Sequence, residues 1–130
     1  MIKALSNPYI DAVSHPGNPK YQVDVEEVVL AAKEYGKLIE INNHSFAVRT
    51  GSEENCRQFA ILCKKHGVRI VTGSDAHFSD SVGEFGKVLN LLEEVGFPEE
   101  LVLNTSVQKV EDYIKERMER IHRHTGAMLF

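Results

Sequence analysis

The sequence lacks any long hydrophobic run, and it lacks a surplus of basic residues. No stretch approaches the roughly 18 consecutive apolar residues of a membrane-spanning helix, and no long apolar segment follows Lys3 at the N-terminus. Its 15 Lys and Arg are set against 19 Asp and Glu, giving a formal net charge of −4. Interleaved charges of both signs do not indicate a nucleic-acid or membrane-binding face. We therefore expect a soluble, cytoplasmic protein whose partner is a small molecule.

Cysteine is scarce, and several familiar motifs are missing. Cys56 and Cys63 lie seven residues apart on a predicted helix, about 10 Å along its axis, which is too far for a disulfide. We expect two core thiols in a reducing compartment. The glycine-rich phosphate loops of nucleotide-binding proteins are absent. Ser14 and Ser74 sit near histidines, but no Ser-His-Asp arrangement can be argued from that.

The residues that are present predict alternating strands and helices in one domain of 130 residues. Apolar spacing and end signals such as Asp24, Gly36, Ser52, Gly67 and Ser106 predict helices. The predicted helices cover 24–36, 52–67, 85–96 and the segment from 106 onwards, whose charged stretch 115–124 is expected to be solvated. Short apolar segments at 9–14, 38–41, 68–72 and 101–103 read as strands, and strand ends recur about every 30 residues. This period predicts an α/β fold of four parallel β/α units.

Polar residues follow the predicted strands, where parallel α/β folds carry their functional loops. If the segment RIVTGSDAH (69–77) stays extended, Asp75 and His77 point to the same side, about 6.5 Å apart. We expect Asp75 to be the only acidic group fixed by a strand on this face. The alternative is a polar turn in which Asp75 caps the next helix and His77 is solvated.

His15 follows the first predicted strand and is held by the stiff Pro16-Gly17 loop. With Asp75 and His77 it forms a His, Asp, His set that suits Zn²⁺, Mn²⁺ or iron, although His15 could simply support its loop. Three ligands from strands two units apart do not easily gather around a single ion. This favours a pair or cluster of metals with some ligands missing. Arg49 could hold a phosphate or be a solvated surface residue, and His44 could join the metal set or simply be exposed.

The motifs SHPGNPKY (14–21), EINN (40–43), RTGSEENC (49–56), GSDAH (73–77), GEF (83–85) and FPEELVLN (97–104) together resemble the PHP domain, named for polymerase and histidinol phosphatase. The likeness is strongest to its stand-alone bacterial phosphoesterases. Members are distorted seven-stranded (β/α) barrels that hydrolyse phosphate esters at a trinuclear metal centre, often of zinc or manganese. The resemblance implies metal binding by His15, Asp75 and His77, with Asp75 and His77 in the catalytic centre. It implies substrate or phosphate contacts from Asn42, Asn43 and Arg49, and it leaves His44 out.

The family begins with a His-x-His strand and adds further histidines and a glutamate before the His-Pro motif, and none of these is present here. The resemblance therefore implies a single partial PHP domain over 1–130, the C-terminal half of the barrel without the N-terminal metal-binding half. We expect a metal-dependent phosphoesterase acting on a small phosphorylated substrate, incomplete or inactive as this chain alone. The chain is expected to form a homodimer or to pair with an N-terminal half. The alternatives are a non-catalytic half-barrel that binds a partner chain or ligand, and an amidohydrolase-like metal hydrolase.

Overall fold

The computed structural model describes residues 1–126, so the last four residues of the predicted domain lie outside it. Helices and strands alternate along the chain, as the sequence predicts. The strands are β1 (Ala12–Val13), β2 (Leu38–Asn42) and β3 (Ile70–Gly73). The helices are α1 (Ile2–Leu5), α2 (Val25–Tyr35), α3 (Ser45–Val48), α4 (Ser52–His66), α5 (Gly86–Glu94) and α6 (Val107–Thr125), with 3-10 turns at Ser79–Ser81, Glu99–Leu101 and Leu103–Thr105. No helix within 1–126 is long and apolar enough to cross a membrane.

The three strands form one parallel sheet in the order β1-β2-β3, which confirms the α/β fold class. Ala12 pairs with Leu38, and Asn42 at the end of β2 pairs with Gly73 at the end of β3. Because the strands are parallel, their carboxyl ends meet at one edge of the sheet. The segments that follow β1, β2 and β3 are thereby brought together.

Helix ends follow the predicted signals at most positions. Asp24 accepts a hydrogen bond from the Glu27 amide (3.0 Å) at the start of α2, and Gly36 ends that helix in a left-handed conformation. Ser106 caps α6 by accepting from the Lys109 amide. Ser52, predicted as a cap, is instead the first residue of α4, because Gly51 occupies the capping position. The Ser52 hydroxyl is buried without a hydrogen-bond partner.

Side chains on the two faces of β2 pack against different parts of the molecule. Ile39 and Ile41 belong to the main core, which the helices α2, α4 and α5 cover. Leu38 points to the opposite face and packs with Leu103 and Tyr113, beneath α6. The alternation places Glu40 and Asn42 on the face of Leu38, nearer the carboxyl end of the strand.

The predicted fourth strand at 101–103 is wrong. The segment forms two 3-10 turns, and only Val102 makes an isolated bridge, to Ile70 of β3. Beyond that bridge the Asn104 side chain takes the place of a strand: its Oδ1 accepts from the Thr72 amide (3.0 Å), and its Nδ2 donates to the Thr72 carbonyl (2.8 Å). A side-chain amide thus satisfies the edge of β3 that a fourth strand would have covered.

Three further expectations need correction. The first strand is shorter than 9–14, since only Ala12–Val13 pairs with β2. The third strand ends at Gly73, and Asp75 has a φ of +49°, so the chain is not extended through residue 77. The charged stretch 115–124 is not simply solvated, because Arg117 and Arg120 both bind Asp11.

Candidate functional site at the carboxyl end of the sheet

We call the residues that follow the carboxyl ends of the three strands the strand-ending rim. His15 lies on it two residues after β1, in a left-handed conformation with a φ of +33°. The loop beneath His15 is clamped to α4: Asn55 donates to the Gly17 carbonyl (3.1 Å), and a Cβ at residue 17 would lie 2.8 Å from Sγ of Cys56. The half-buried His15 side chain is therefore carried by a fixed loop, as the Pro16-Gly17 pair predicts.

Asp75 and His77 stand on the same rim after β3, but not by strand alternation. The left-handed backbone at Asp75 turns the chain, and Nδ1 of His77 lies 2.8 Å from the Asp75 carbonyl oxygen. A carbonyl only accepts hydrogen bonds, so Nδ1 carries the proton, and Nε2 of a neutral ring keeps its lone pair for a metal. The His44 ring packs against the His77 ring with centroids 4.7 Å apart. His44, which the resemblance leaves out of the ligand set, thus contacts one of its members.

Asn42 and Arg49 are joined through a serine. Oδ1 of the buried Asn42 accepts from the Ser45 amide (2.9 Å) and from its hydroxyl (3.1 Å), and Nη1 of Arg49 donates to the same hydroxyl oxygen (2.5 Å). These bonds hold the half-buried guanidinium against the end of β2. The planar guanidinium has further N–H donors beyond the one that Ser45 uses.

Asn43 points to a different element. Its Oδ1 accepts from the amides of Lys87 and Val88, both at 3.0 Å, and so satisfies the first turn of α5. The backbone N–H of Asn43 donates to the Gly73 carbonyl (2.8 Å). In the structure the side-chain oxygen of Asn43 therefore serves a helix end, whereas the resemblance implies a substrate contact.

Sequence reasoning missed Glu40, and the expectation about Asp75 is wrong: Glu40 is held within a strand, whereas Asp75 lies beyond the end of β3. Oε2 of Glu40 accepts from the Ser14 hydroxyl (2.8 Å) and from the His15 amide (2.7 Å). Its other oxygen faces Gly73 on β3, where a Cβ would clash with it. The available signal was alternation: Glu40 is a charged residue between Ile39 and Ile41 in a strand, so it faces away from the core that they join.

Burial suppresses the ionisation of the two thiols. Burial raises the pKa of Cys56 to about 11, and the nearby Glu40 carboxylate adds to this effect. Burial alone raises the pKa of Cys63 to about 12. Both thiols stay protonated near neutral pH and are free and buried, as predicted for core cysteines.

The rim supplies donors that a divalent metal accepts, but it does not gather three of them. Imidazole nitrogen and carboxylate oxygen suit Zn²⁺ and Mn²⁺, and His15, Asp75 and His77 present these atoms. Among residues 1–126, no group of three His, Cys, Asp or Glu side chains is placed to hold one ion. The donor types of these three residues therefore fit such a metal.

Comparison with known protein families gives one match within the chain. A family model described as PHP-associated matches residues 53–101. This span runs from the start of α4 to the 3-10 turn at Glu99–Leu101 and includes Asp75 and His77. The remaining predicted site residues lie before it.

Several curated proteins are similar to the chain over nearly its whole length. A probable phosphatase of Acetivibrio thermocellus is 62% identical over 123 residues, which cover 95% of this chain and 51% of that protein. One from Caldanaerobacter subterraneus subsp. tengcongensis is 54% identical over 122 residues, which cover 93% and 48%. One from Clostridium botulinum is 48% identical over 117 residues, which cover 90% and 48%. The chain spans about half the length of the curated relatives it matches.

Proposed function

We propose that this chain is a C-terminal region of the PHP family and that its strand-ending rim forms one side of a metal-dependent phosphoesterase site. The backbone carries the proposal: within 1–126 the non-glycine residues with positive φ are His15 and Asp75. Strained backbone persists only where the surroundings enforce it, and it clusters at functional sites. The relatives named as probable phosphatases support hydrolysis of phosphate esters as the reaction class.

The second part of the proposal concerns the rest of the barrel. Residues 1–126 contain three parallel strands, β1 lies at an edge of the sheet, and the relatives are about twice as long as the chain. We take this region as the C-terminal half of a distorted (β/α)7 barrel, whose N-terminal half would pair with it and complete the ligand set. A second copy of the chain is the other occupant expected at this edge. Light scattering on the isolated chain distinguishes a homodimer from a monomer that pairs only with an N-terminal half.

The metal ligands that this chain would contribute are His15, Asp75 and His77, with Zn²⁺ or Mn²⁺ as the favoured ion. A divalent ion bound there would activate water and offset charge on the phosphoryl oxygens. The Asp75 carboxylate supplies the negative charge that such an ion requires. The hydrogen bond from Nδ1 of His77 to the Asp75 carbonyl fixes the ring orientation, so that Nε2 is the available ligand atom.

Arg49 is assigned to the phosphate of the substrate. Ser45 and Asn42 hold its guanidinium against the end of β2, which reduces the side-chain freedom lost on binding. The remaining N–H donors can take two phosphoryl oxygens at once. Asn42 acts through this chain of hydrogen bonds, since its Oδ1 already accepts twice from Ser45.

The test mixes this chain with a separately made N-terminal half of a full-length relative and follows phosphate release from a monoester with Zn²⁺ or Mn²⁺. Activity should appear only in the mixture. Asp75→Asn keeps the shape but removes the charge, so activity should fall about 100-fold or more. Asp80→Asn, an exposed aspartate in the next turn, is the matched control and should retain activity. Arg49→Ala should raise KM and leave metal content unchanged.

Two results would contradict this assignment. A mixture whose activity is indifferent to Asp75→Asn would show that the metal site lies elsewhere. A mixture that forms a stable complex but never releases phosphate would favour the non-catalytic half-barrel.

A further inference from the structure

Glu40 is a charged residue in the central strand of the sheet. Its neighbours in sequence, Ile39 and Ile41, are fully buried in the main core, and Glu40 itself is half-buried on the opposite face. A carboxylate taken partly out of water in a strand is unfavourable unless donors compensate it. The contacts of Glu40 show which segments supply that compensation.

One oxygen of Glu40 holds the turn after β1. Oε2 accepts two hydrogen bonds, from the Ser14 hydroxyl (2.8 Å) and from the His15 backbone amide (2.7 Å). The hydrogen bond from the His15 amide fixes the peptide group between Ser14 and the left-handed His15. A side chain on β2 therefore restrains a residue assigned to the metal site on β1.

The other oxygen of Glu40 lies against the end of β3. Oε1 approaches Gly73 so closely that a Cβ at residue 73 would force the Glu40 carboxylate to move. Oε1 has a longer contact of 3.5 Å with Nδ2 of Asn42. Gly73 is the last residue of β3, two positions before Asp75, so one carboxylate touches both segments that carry the strained residues.

We propose that Glu40 is a positioning residue that fixes the His15 turn and the Gly73 end of β3 relative to each other. This role of Glu40 rests on the proposed function, in which the two segments present His15 and Asp75 to the same metal site. Glu40 itself is not assigned as a metal ligand. The competing interpretation is a local one, in which the carboxylate only satisfies Ser14 and the His15 amide.

The test compares Glu40→Gln in the full chain with Glu111→Gln, an exposed residue of α6, as the matched control. An amide bound to a carboxylate at short distance resonates downfield and exchanges slowly with solvent. In Glu40→Gln the His15 amide should lose its downfield shift and its protection, while Glu111→Gln should leave both unchanged. An unaltered His15 amide in a folded Glu40→Gln chain would overturn the inference.

A second readout separates positioning from local structure. Zn²⁺ is titrated into each chain after it has been mixed with the N-terminal half of a full-length relative, which would complete the ligand set, and the ring signals of His15 and His77 are followed. Glu40→Gln should weaken the apparent affinity about 10-fold or more, in the range seen when groups behind metal ligands are removed. If wild type responds and Glu40→Gln responds with the same affinity, only this inference fails. If wild type itself shows no response at either histidine, the proposed metal site fails and the inference falls with it.

Gly73→Ala provides an independent variant should Glu40→Gln fold poorly. The added methyl group must displace the Glu40 carboxylate, so the His15 amide should shift although residue 73 lies on another strand. Combining Gly73→Ala with Glu40→Ala should cause no further shift of the His15 amide beyond that of Glu40→Ala alone. Independent, additive shifts of that amide in the double variant would contradict the proposed link.

Discussion

Each strand of the sheet begins directly after a charged residue, and we call these residues, Asp11, Lys37 and Arg69, the strand-starting rim. Asp11 accepts from Nε of Arg117 (2.8 Å) and from Nη2 of Arg120 (2.7 Å), both on α6. Lys37 is buried, and its ammonium donates to two backbone carbonyls of the segment before β1. Arg69 pairs with a glutamate of α6. At this rim the charges face partners from α6 and from the N-terminal segment.

The strand-ending rim is built differently. His15 and Asp75 hold left-handed backbones, and the His77 side chain is exposed. Its internal hydrogen bonds orient groups, such as the His77 ring and the Arg49 guanidinium, and leave further donor or acceptor atoms on each. Polar residues at one rim of the sheet therefore bind other segments of the chain, whereas those at the other rim keep unused donor or acceptor atoms. This difference is what the proposed ligand site requires. Removing charge from the first should cost stability, and removing it from the second should cost function.

The largest effect on stability is expected from Asp11→Asn. This change removes the charge that two arginines share while keeping the side-chain shape, and it should lower the free energy of unfolding by about 2 kcal/mol. The matched control is Glu116→Gln, which breaks the more exposed pair with Arg69 and should cost no more than about 0.5 kcal/mol. Urea unfolding of both variants measures the difference. Equal losses would show that Asp11 has no special place in the strand-starting rim.

A smaller loss of stability is expected from Asn43→Ala, which removes a structural hydrogen-bond acceptor from the strand-ending rim. Asn43 accepts two amides at the start of α5, so its removal should lower the free energy of unfolding by about 1 kcal/mol. Asn90→Ala, an exposed change within α5, should not lower it. An Asn43→Ala chain of unchanged stability that binds inorganic phosphate more weakly would instead support the substrate contact implied by the family resemblance.

The smallest effect concerns the pH dependence that Lys37 brings. Burial lowers the pKa of Lys37 from its ordinary 10.5, repulsion from Arg120 lowers it further, and Asp11 opposes both. The folded chain then binds fewer protons than the unfolded chain as pH approaches 10.5, so this contribution to stability rises with pH. Wild type should therefore gain stability relative to Lys37→Met between pH 7 and pH 10. If urea unfolding shows that wild type loses stability relative to Lys37→Met over that range, the assigned direction is reversed.

The sequence predicted those features that depend on local signals. Asp24 and Ser106 cap helices because a side-chain oxygen three residues before an amide can reach it, and Gly36 ends a helix because it adopts positive φ readily. The apolar segments that became β2 and β3 were also recognised. Each of these features is decided within a few residues of the chain.

The failures involve contacts between distant segments. The apolar residues 101–103 predict a strand, but the Asn104 side chain occupies the edge of β3 beyond Val102. Glu40 was overlooked because its partners at His15 and Gly73 are 25 and 33 residues away. Asp75 was expected to continue a strand, whereas its backbone is left-handed. The residue types on the strand-ending rim were predictable, but the hydrogen bonds that orient them were not.

If the strand-ending rim holds strained residues in place for a ligand, Asp75→Gly should abolish the role of residue 75 in metal binding without destabilising the fold. Glycine adopts the +49° φ of residue 75 without strain, so the metal-free chain should be as stable as wild type or more stable by up to about 1 kcal/mol. With the N-terminal half of a full-length relative present, Zn²⁺ should also stabilise wild type against urea more strongly than it stabilises the variant. An Asp75→Gly chain that loses as much stability as Asp11→Asn, or that is stabilised by Zn²⁺ as strongly as wild type, would show that Asp75 is not held in place for a metal.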